Sequence, residues 1–121
     1  MLRCPAIRRS DRLAQRLPAH LEVAALIRRV GAEGGFASVL RKGEADAGTI
    51  LLVLLEKGAN ARVYERMPRP DGTRQWTLSR KENPEDKTEL EDWLRRRADQ
   101  DPDLWIVELD IAHGERLIGL L

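Results

Sequence analysis

The chain has 121 residues, a mass of 13.8 kDa and a formal net charge of +1, which predicts one globular domain rather than two. Charged residues make up 34% of the sequence, but its 42% hydrophobic content and near-neutral balance are not those of a disordered chain. Cys4 is the only cysteine, which excludes an intramolecular disulfide and a cysteine zinc site and favours a reducing, cytoplasmic setting. The apolar runs are also too short for a membrane span or a secretory signal, so we expect neither.

Residues 1–17 differ from the rest of the chain in charge. They carry roughly +4, from five arginines and one aspartate, and leave roughly −3 for the remaining residues. We expect a basic N-terminal arm, whose composition leaves its order open, followed by a single α+β domain at 18–121. The arm suits nucleic acid or an acidic partner, but it has no aromatic residue to stack on bases. A solvated tail is the simpler interpretation, and nucleic acid is not an expected partner.

The first elements are a helix and a strand. Apolar residues recur every three to four positions from Ala19, which predicts an amphipathic helix that follows Pro18 and ends near Gly31 or Gly34. The side chains of residues 36–42 would then alternate between two faces, which predicts a first strand. The charged loop 41–48 connects this strand to the next apolar run, and this arrangement predicts a hairpin.

The run Thr49–Leu55 is the longest unbroken apolar stretch and predicts a central strand that is buried on both faces. If both helices covered one face of the sheet, the other face would be exposed. We therefore predict an interface, with a second copy or another protein, that uses Ile50, Leu52 and Leu54. Trp76 is a further interface candidate, and core or edge packing is its simpler interpretation.

The remaining patterns complete the predicted fold. Strands are expected at 61–67 and 73–80 around the turn Asp71-Gly72, a helix from Asn83-Pro84, and a strand at 104–111. Residues 117–121 are apolar enough for a sixth short strand or a docked tail. The predicted class is α+β, with a mostly antiparallel sheet of five or six strands and two helices in the order α-β-β-β-β-α-β(-β).

Two sets of charged residues are candidate sites. The first set would bind an anion: Arg41, Lys42, Arg95, Arg96 and Arg97. The second set would hold a hard cation or act as acid and base: Asp101, Asp103, Glu108 and Asp110. Solvated surface charge is the simpler interpretation of both, because neither has the spacing of a phosphate loop or a calcium loop. The histidines and serines form no nucleophile motif either, so we predict no catalytic residue, cofactor or resident metal.

Several short segments carry a resemblance to a known family. They are Asp101-Pro-Asp-Leu-Trp-Ile-Val-Glu-Leu-Asp110, Ala24-Ala-Leu-Ile-Arg-Arg29, Gly35-Phe-Ala, Arg41-Lys-Gly43 and Asp46-Ala-Gly48. Over roughly residues 16–112 the sequence resembles an uncharacterised family of short alphaproteobacterial proteins, one of the domains of unknown function. The resemblance implies a bacterial cytoplasmic protein and brings with it no catalytic or binding residue.

Two functions remain open at this point. The first is a small cytoplasmic, non-catalytic protein-interaction module, homodimeric through an apolar sheet face. The second is a small hydrolase or nucleotide-handling enzyme that uses the acids between Asp101 and Asp110 with a divalent cation. The apolar run of the central strand favours the first, because soluble monomers rarely expose such a patch.

Overall fold

The computed structural model describes residues 17–68, 70–72 and 74–119. These ranges form three helices and five strands: α1 (Ala19–Ala32), β1 (Phe36–Arg41), β2 (Ile50–Glu56), β3 (Ala59–Pro68), β4 (Arg74–Lys81), α2 (Thr88–Gln100), β5 (Trp105–Asp110) and α3 (Gly114–Leu117). One open sheet has the strand order β1-β5-β2-β3-β4. The predicted α+β class and element order are confirmed. Of the two alternatives for residues 117–121, the described part, 117–119, forms no strand: Leu117 ends a short helix and packs with Ile118 on the core, and residues 120–121 lie outside the described ranges. The basic arm, apart from Leu17, lies outside the described residues.

Strand β2 is buried on both faces, as its apolar sequence predicts. Ile50, Leu52 and Leu54 pack under α1 and α3 on one side, which we call the α1 face. The other side, the α2 face, holds residues such as Leu51 and Val53 under the apolar side of α2. One helix layer therefore covers each face, and the sheet has two cores rather than one.

The predicted hairpin between β1 and β2 is wrong. Strand β5 lies between them, antiparallel to β1 and parallel to β2. The loop from Lys42 to Thr49 is long enough to cross the start of β5, and it packs there: the Trp105 indole donates to the carbonyl of Glu44 (2.8 Å). A Cβ added to Gly43 or Gly48 would collide with the carbonyl oxygen of Asp103, so both glycines permit this close approach.

Helix α2 begins later than predicted, at Thr88 rather than beside Asn83. The Asn83 carboxamide accepts a hydrogen bond from the amide of Glu85 (3.0 Å), which closes a turn instead of starting a helix. At the first residue of the helix, the Thr88 hydroxyl donates to the carboxylate of Asp86 (2.6 Å) in the preceding turn. The acids that looked like the start of the helix therefore belong to the preceding turn.

Candidate interaction surface

The cationic candidates at the end of α2 separate from one another. Arg97 forms two hydrogen bonds of 2.9 Å with the carboxylate of Glu65 on β3, and its guanidinium lies 5.3 Å from the ring of Trp93. Those hydrogen bonds from Arg97 lower the pKa of Glu65 although burial opposes the change. Arg95 pairs instead with Asp92 (3.1 Å), and Arg96 is exposed. The three arginines thus form no common anion site.

The loop after β1 also differs from an anion cradle. Its amides at Ala47 (2.6 Å) and Asp46 (3.1 Å) donate to the carboxylate of Glu44, so the loop's own acid occupies the position an anion would take. These hydrogen bonds lower the pKa of Glu44. Lys42 is exposed beside the loop, whereas a guanidinium NH2 of Arg41 donates to the carbonyl of Pro102 (3.4 Å).

Three of the four acidic candidates lie at the two ends of β5, and the fourth, Glu108, lies within the strand opposite Ser38 of β1. Asp101 and Asp103 precede the strand, and Asp110 closes it, at a separation on the order of 20 Å. The Asp110 carboxylate accepts hydrogen bonds from the amides of Lys57 (2.8 Å) and Gly58 (2.9 Å), so it caps the β2–β3 turn. Among the described residues, no group of three or more His, Cys, Asp or Glu side chains is placed to hold a metal ion. The structure therefore does not gather the four acids at one site.

The predicted interface residues on the sheet face are in the core. Ile50, Leu52 and Leu54 are at most 2% exposed, because α1 covers their face within the same chain. The prediction that they form an intermolecular surface is therefore wrong. Trp76 is half-buried on β4, and the guanidinium of Arg66 lies 4.7 Å from its ring. Arg66 in turn pairs with Glu22 of α1 (2.6 Å). Trp76 itself packs against the core of the α1 face, which is its simpler interpretation.

A buried polar network joins β3 to α3 and was missed in the sequence. Arg62 is 7% exposed and its Nε donates to Glu115 (2.6 Å), while the Tyr64 hydroxyl donates to the same carboxylate (2.9 Å). Burial acts to raise the pKa of Glu115, but a hydrogen bond from its own backbone N–H, those from Arg62 and Tyr64, and the charge of Arg62 together outweigh burial and lower the pKa. Burial and then Glu115 raise the pKa of Tyr64. The charged and polar groups of this network bind one another, so we infer that the network holds α3 against the sheet.

Exposed apolar side chains concentrate on the edge strand β1. Of the six large hydrophobic side chains exposed in the described part of the chain, three belong to this strand: Phe36 at 76%, Leu40 at 52% and Val39 at 41%. The backbone of an edge strand also leaves alternate N–H and C=O groups unpaired. The other edge strand, β4, carries Leu78 at 42% exposure and ends in two exposed cations, Arg80 and Lys81.

A groove runs between β1 and α2 on the α2 face. It has a volume of about 350 Å³ and an apolar floor from Leu40, Leu94, Ala98 and Ile106. Polar side chains flank it: Arg41, Glu91 and Arg95. The Nε of Arg41 is buried and has no hydrogen-bond partner among the described residues. Edge strand and groove together form what we call the β1 surface.

A larger depression lies at the end of the sheet where β5 finishes. Its volume is about 690 Å³, and its lining includes Phe36, Glu56, Asp110 and His113. Glu56 accepts a hydrogen bond from the amide of His113 (3.1 Å), and Asp110 is engaged with the β2–β3 turn. These two carboxylates therefore stabilise the connections around the depression.

The comparisons with known proteins decide the family. The family model described as "Protein of unknown function (DUF1491)" matches residues 17–119. The chain belongs to this family. The resemblance read from the sequence is thereby confirmed, and the DUF1491 match excludes the basic residues 1–16. No functionally curated protein matches the chain.

Solved structures of similar proteins share this fold. A crystal structure of a DUF1491 family protein from Caulobacter crescentus CB15 is 35% identical, covers 86% of this chain and 96% of its own, and has a TM-score of 0.75. A DUF1491 family protein from the same organism, determined by NMR, is 34% identical, covers 87% and 94%, and has a TM-score of 0.72. The solution structure of Atu0922 from A. tumefaciens is 30% identical, covers 88% and 96%, and has a TM-score of 0.69. Within the described ranges, every helix is too short or too polar to span a membrane.

Proposed function

We propose that this DUF1491 protein is a small, non-catalytic protein-interaction module of the bacterial cytoplasm, and that it binds through the β1 surface. The observation that carries the proposal is the concentration of exposed apolar side chains on one edge strand. Monomeric proteins usually protect sheet edges with charge, proline or a covering element, because an open edge pairs with other chains. Here residues 36–40 are uncharged, and the first cation is Arg41.

The polar side chains support this function by what they contact. Arg97 and Glu65 bind each other, Arg62 and Tyr64 bind Glu115, and their hydrogen bonds hold helices to the sheet. Catalytic groups are usually arranged in a concave site with partners left for a substrate. The alternative hydrolase or nucleotide-handling function depends on acids gathered around one cation, and the distance from Asp101 and Asp103 to Asp110 along β5 favours the interaction module instead.

The two edges of the sheet offer a matched test. Replacing Phe36 and Leu40 together by lysine would place charge on the β1 surface, whereas Leu78→Lys makes the same change on β4. All three side chains are more than a third exposed, so we expect each variant to keep the wild-type circular dichroism spectrum.

Each tagged full-length variant would be incubated with a nuclease-treated alphaproteobacterial lysate, and captured proteins would be identified and quantified by mass spectrometry. A differently tagged copy of the same chain would be added to detect self-association. We expect one stoichiometric partner, either that copy or another protein, which the β1 double variant loses and Leu78→Lys keeps. A partner retained equally by both variants, or the absence of any stoichiometric partner, would contradict the proposed function.

A further inference from the structure

We infer that the partner is a second copy of this chain, which pairs β1 with β1 in antiparallel fashion and places Phe36 in the groove of the other copy. The inference rests on the proposed function and names its partner. The two sheets would join edge to edge into one continuous sheet, related by a two-fold axis perpendicular to it. Such an interface is isologous, so each contact must be self-complementary.

The register follows from the faces of β1. Phe36 and Ser38 lie opposite Asp110 and Glu108 of β5, and opposed residues share a face of a sheet. The pairing shifts between Val39 and Arg41, where the extra residue forms a bulge, and Leu40 points into the groove on the α2 face. A two-fold axis through Ser38 therefore puts Phe36 opposite the partner's Leu40, both on the α2 face.

On the α1 face the same axis puts Ala37 opposite the partner's Val39. Val39 is 41% exposed although its β5 neighbour, Val107, is fully buried. Pairing with a second strand would cover the exposed part of Val39. Apolar side chains thus meet apolar side chains on both faces, which is the requirement for a self-complementary strand edge.

Phe36 and the groove match each other in chemistry and in position. Phe36 is 76% exposed in the single chain, which is unusual for a residue with so large an apolar side chain. The groove offers an apolar floor beside Leu40, the residue that this register sets against the partner's Phe36. Each dimer would contain this contact twice. A buried aromatic residue in an apolar pocket is the usual anchor of a protein interface.

The charges at the two ends of β1 are also complementary. Glu33 precedes the strand and Lys42 follows it; both are exposed, and the Glu33 carboxylate also lies 3.5 Å from Arg29 of α1. Antiparallel pairing about Ser38 brings Lys42 close to the partner's Glu33, and the reverse contact occurs at the other end.

The first test is the oligomeric state of the full chain by sedimentation equilibrium. We expect the wild type to form a dimer, and Phe36→Ala to raise the dimer dissociation constant by about 100-fold, because two anchoring rings are lost per dimer. Leu78→Ala is the matched control on the opposite edge and should leave the constant unchanged. A wild type that remains monomeric at high micromolar concentration would overturn the inference, as would an equal effect of both variants.

A charge exchange tests the register. Glu33→Lys and Lys42→Glu should each weaken the homodimer by about three- to tenfold, since each places like charges at both contacts. An equimolar mixture of the two variants should regain wild-type affinity, because only the heterodimer restores opposite charges at both ends. A mixture that associates no better than its components would overturn this register.

The outcomes separate this inference from the proposed function. A monomeric wild type that still captures a different protein, lost on Phe36→Lys with Leu40→Lys, would refute the second copy as partner and leave the interaction surface in place. A monomeric wild type that captures nothing would refute both.

Discussion

The network of Arg62, Tyr64 and Glu115 allows a quantitative test of how α3 is held. Glu115→Gln keeps the size of the side chain but removes the charge that faces Arg62, whose side chain is 9% exposed. Removing one member of a buried ion pair costs about 3–5 kcal/mol, since the remaining charge is left without compensation. The Glu115 side chain is 20% exposed, so water can partly solvate Arg62, and we expect a loss of about 2–3 kcal/mol.

The assay is urea unfolding, followed by far-ultraviolet circular dichroism and tryptophan fluorescence. Asp92→Asn is the control, because it breaks a pair with Arg95 in which the side chains are 50% and 69% exposed. That pair should contribute less than about 0.5 kcal/mol. The double variant Arg62→Met with Glu115→Gln should recover about half of the loss, since it removes the uncompensated charge. A Glu115→Gln effect no larger than that of Asp92→Asn would refute the reasoning.

Three further predictions concern stability at low pH, the loop after β1, and Asp110 at the end of β5. The pKa of Glu115 is lowered in the folded protein from its ordinary value of 4.5. The stability that ionised Glu115 contributes is therefore complete above pH 4.5 and is lost as the pH falls through the folded pKa. The urea midpoint of the wild type should fall more steeply in acid than that of Glu115→Gln. Gly43→Ala should cost about 1–3 kcal/mol in urea unfolding because its Cβ would collide with the Asp103 carbonyl, whereas Gly31→Ala, which meets nothing within 4 Å, should stabilise α1 by about 0.5–1 kcal/mol. Equal effects of the two alanines would argue against close packing of this loop. Asp110→Asn should lower the free energy of unfolding by about 1–2 kcal/mol, equally with and without Mg²⁺, because the Asp110 carboxylate caps a turn. If Mg²⁺ raises the melting temperature of the wild type but not of the variant, Asp110 binds the metal instead.

The sequence predicted the class of fold because its strongest signals are local. The unbroken apolar run of β2 requires cover on both faces, and α1 and α2 supply it. The position of β5 between β1 and β2 was not predicted, since which strands pair is a long-range property that periodicity does not encode. One signal was available: β5 has a more continuous apolar sequence than β1, as suits an inner strand, and the loop from Lys42 to Thr49 is longer than a tight hairpin needs.

The partners of the charged candidate residues were not predicted for a related reason. The sequence groups Arg97 with Arg95 and Arg96 as one cationic cluster on α2, but the structure pairs Arg97 with Glu65 on β3. The spacing of Asp110 and Glu108 suggests a pair of ligands, yet the Asp110 carboxylate caps a turn that lies 53 residues earlier in the chain. Conversely, the exposed Phe36 resembles any core residue of an alternating strand, and its exposure depends on β1 being at the edge of the sheet. Sequence patterns show which residues share a face but not where that strand lies in the sheet.

The central position of β5 has a consequence for synthesis. The chain emerges from the ribosome with β1 and β2 first, and the strand that must separate them comes last. Until Trp105–Asp110 has been made, β1 and β2 both lack their neighbour, and the growing chain presents unpaired apolar edges. Pairing of such distant segments is also slow compared with the formation of local hairpins such as β3–β4. Nascent chains of this protein should therefore depend on chaperones until the last strand is available, and truncation before Trp105 should yield aggregates rather than a smaller folded domain.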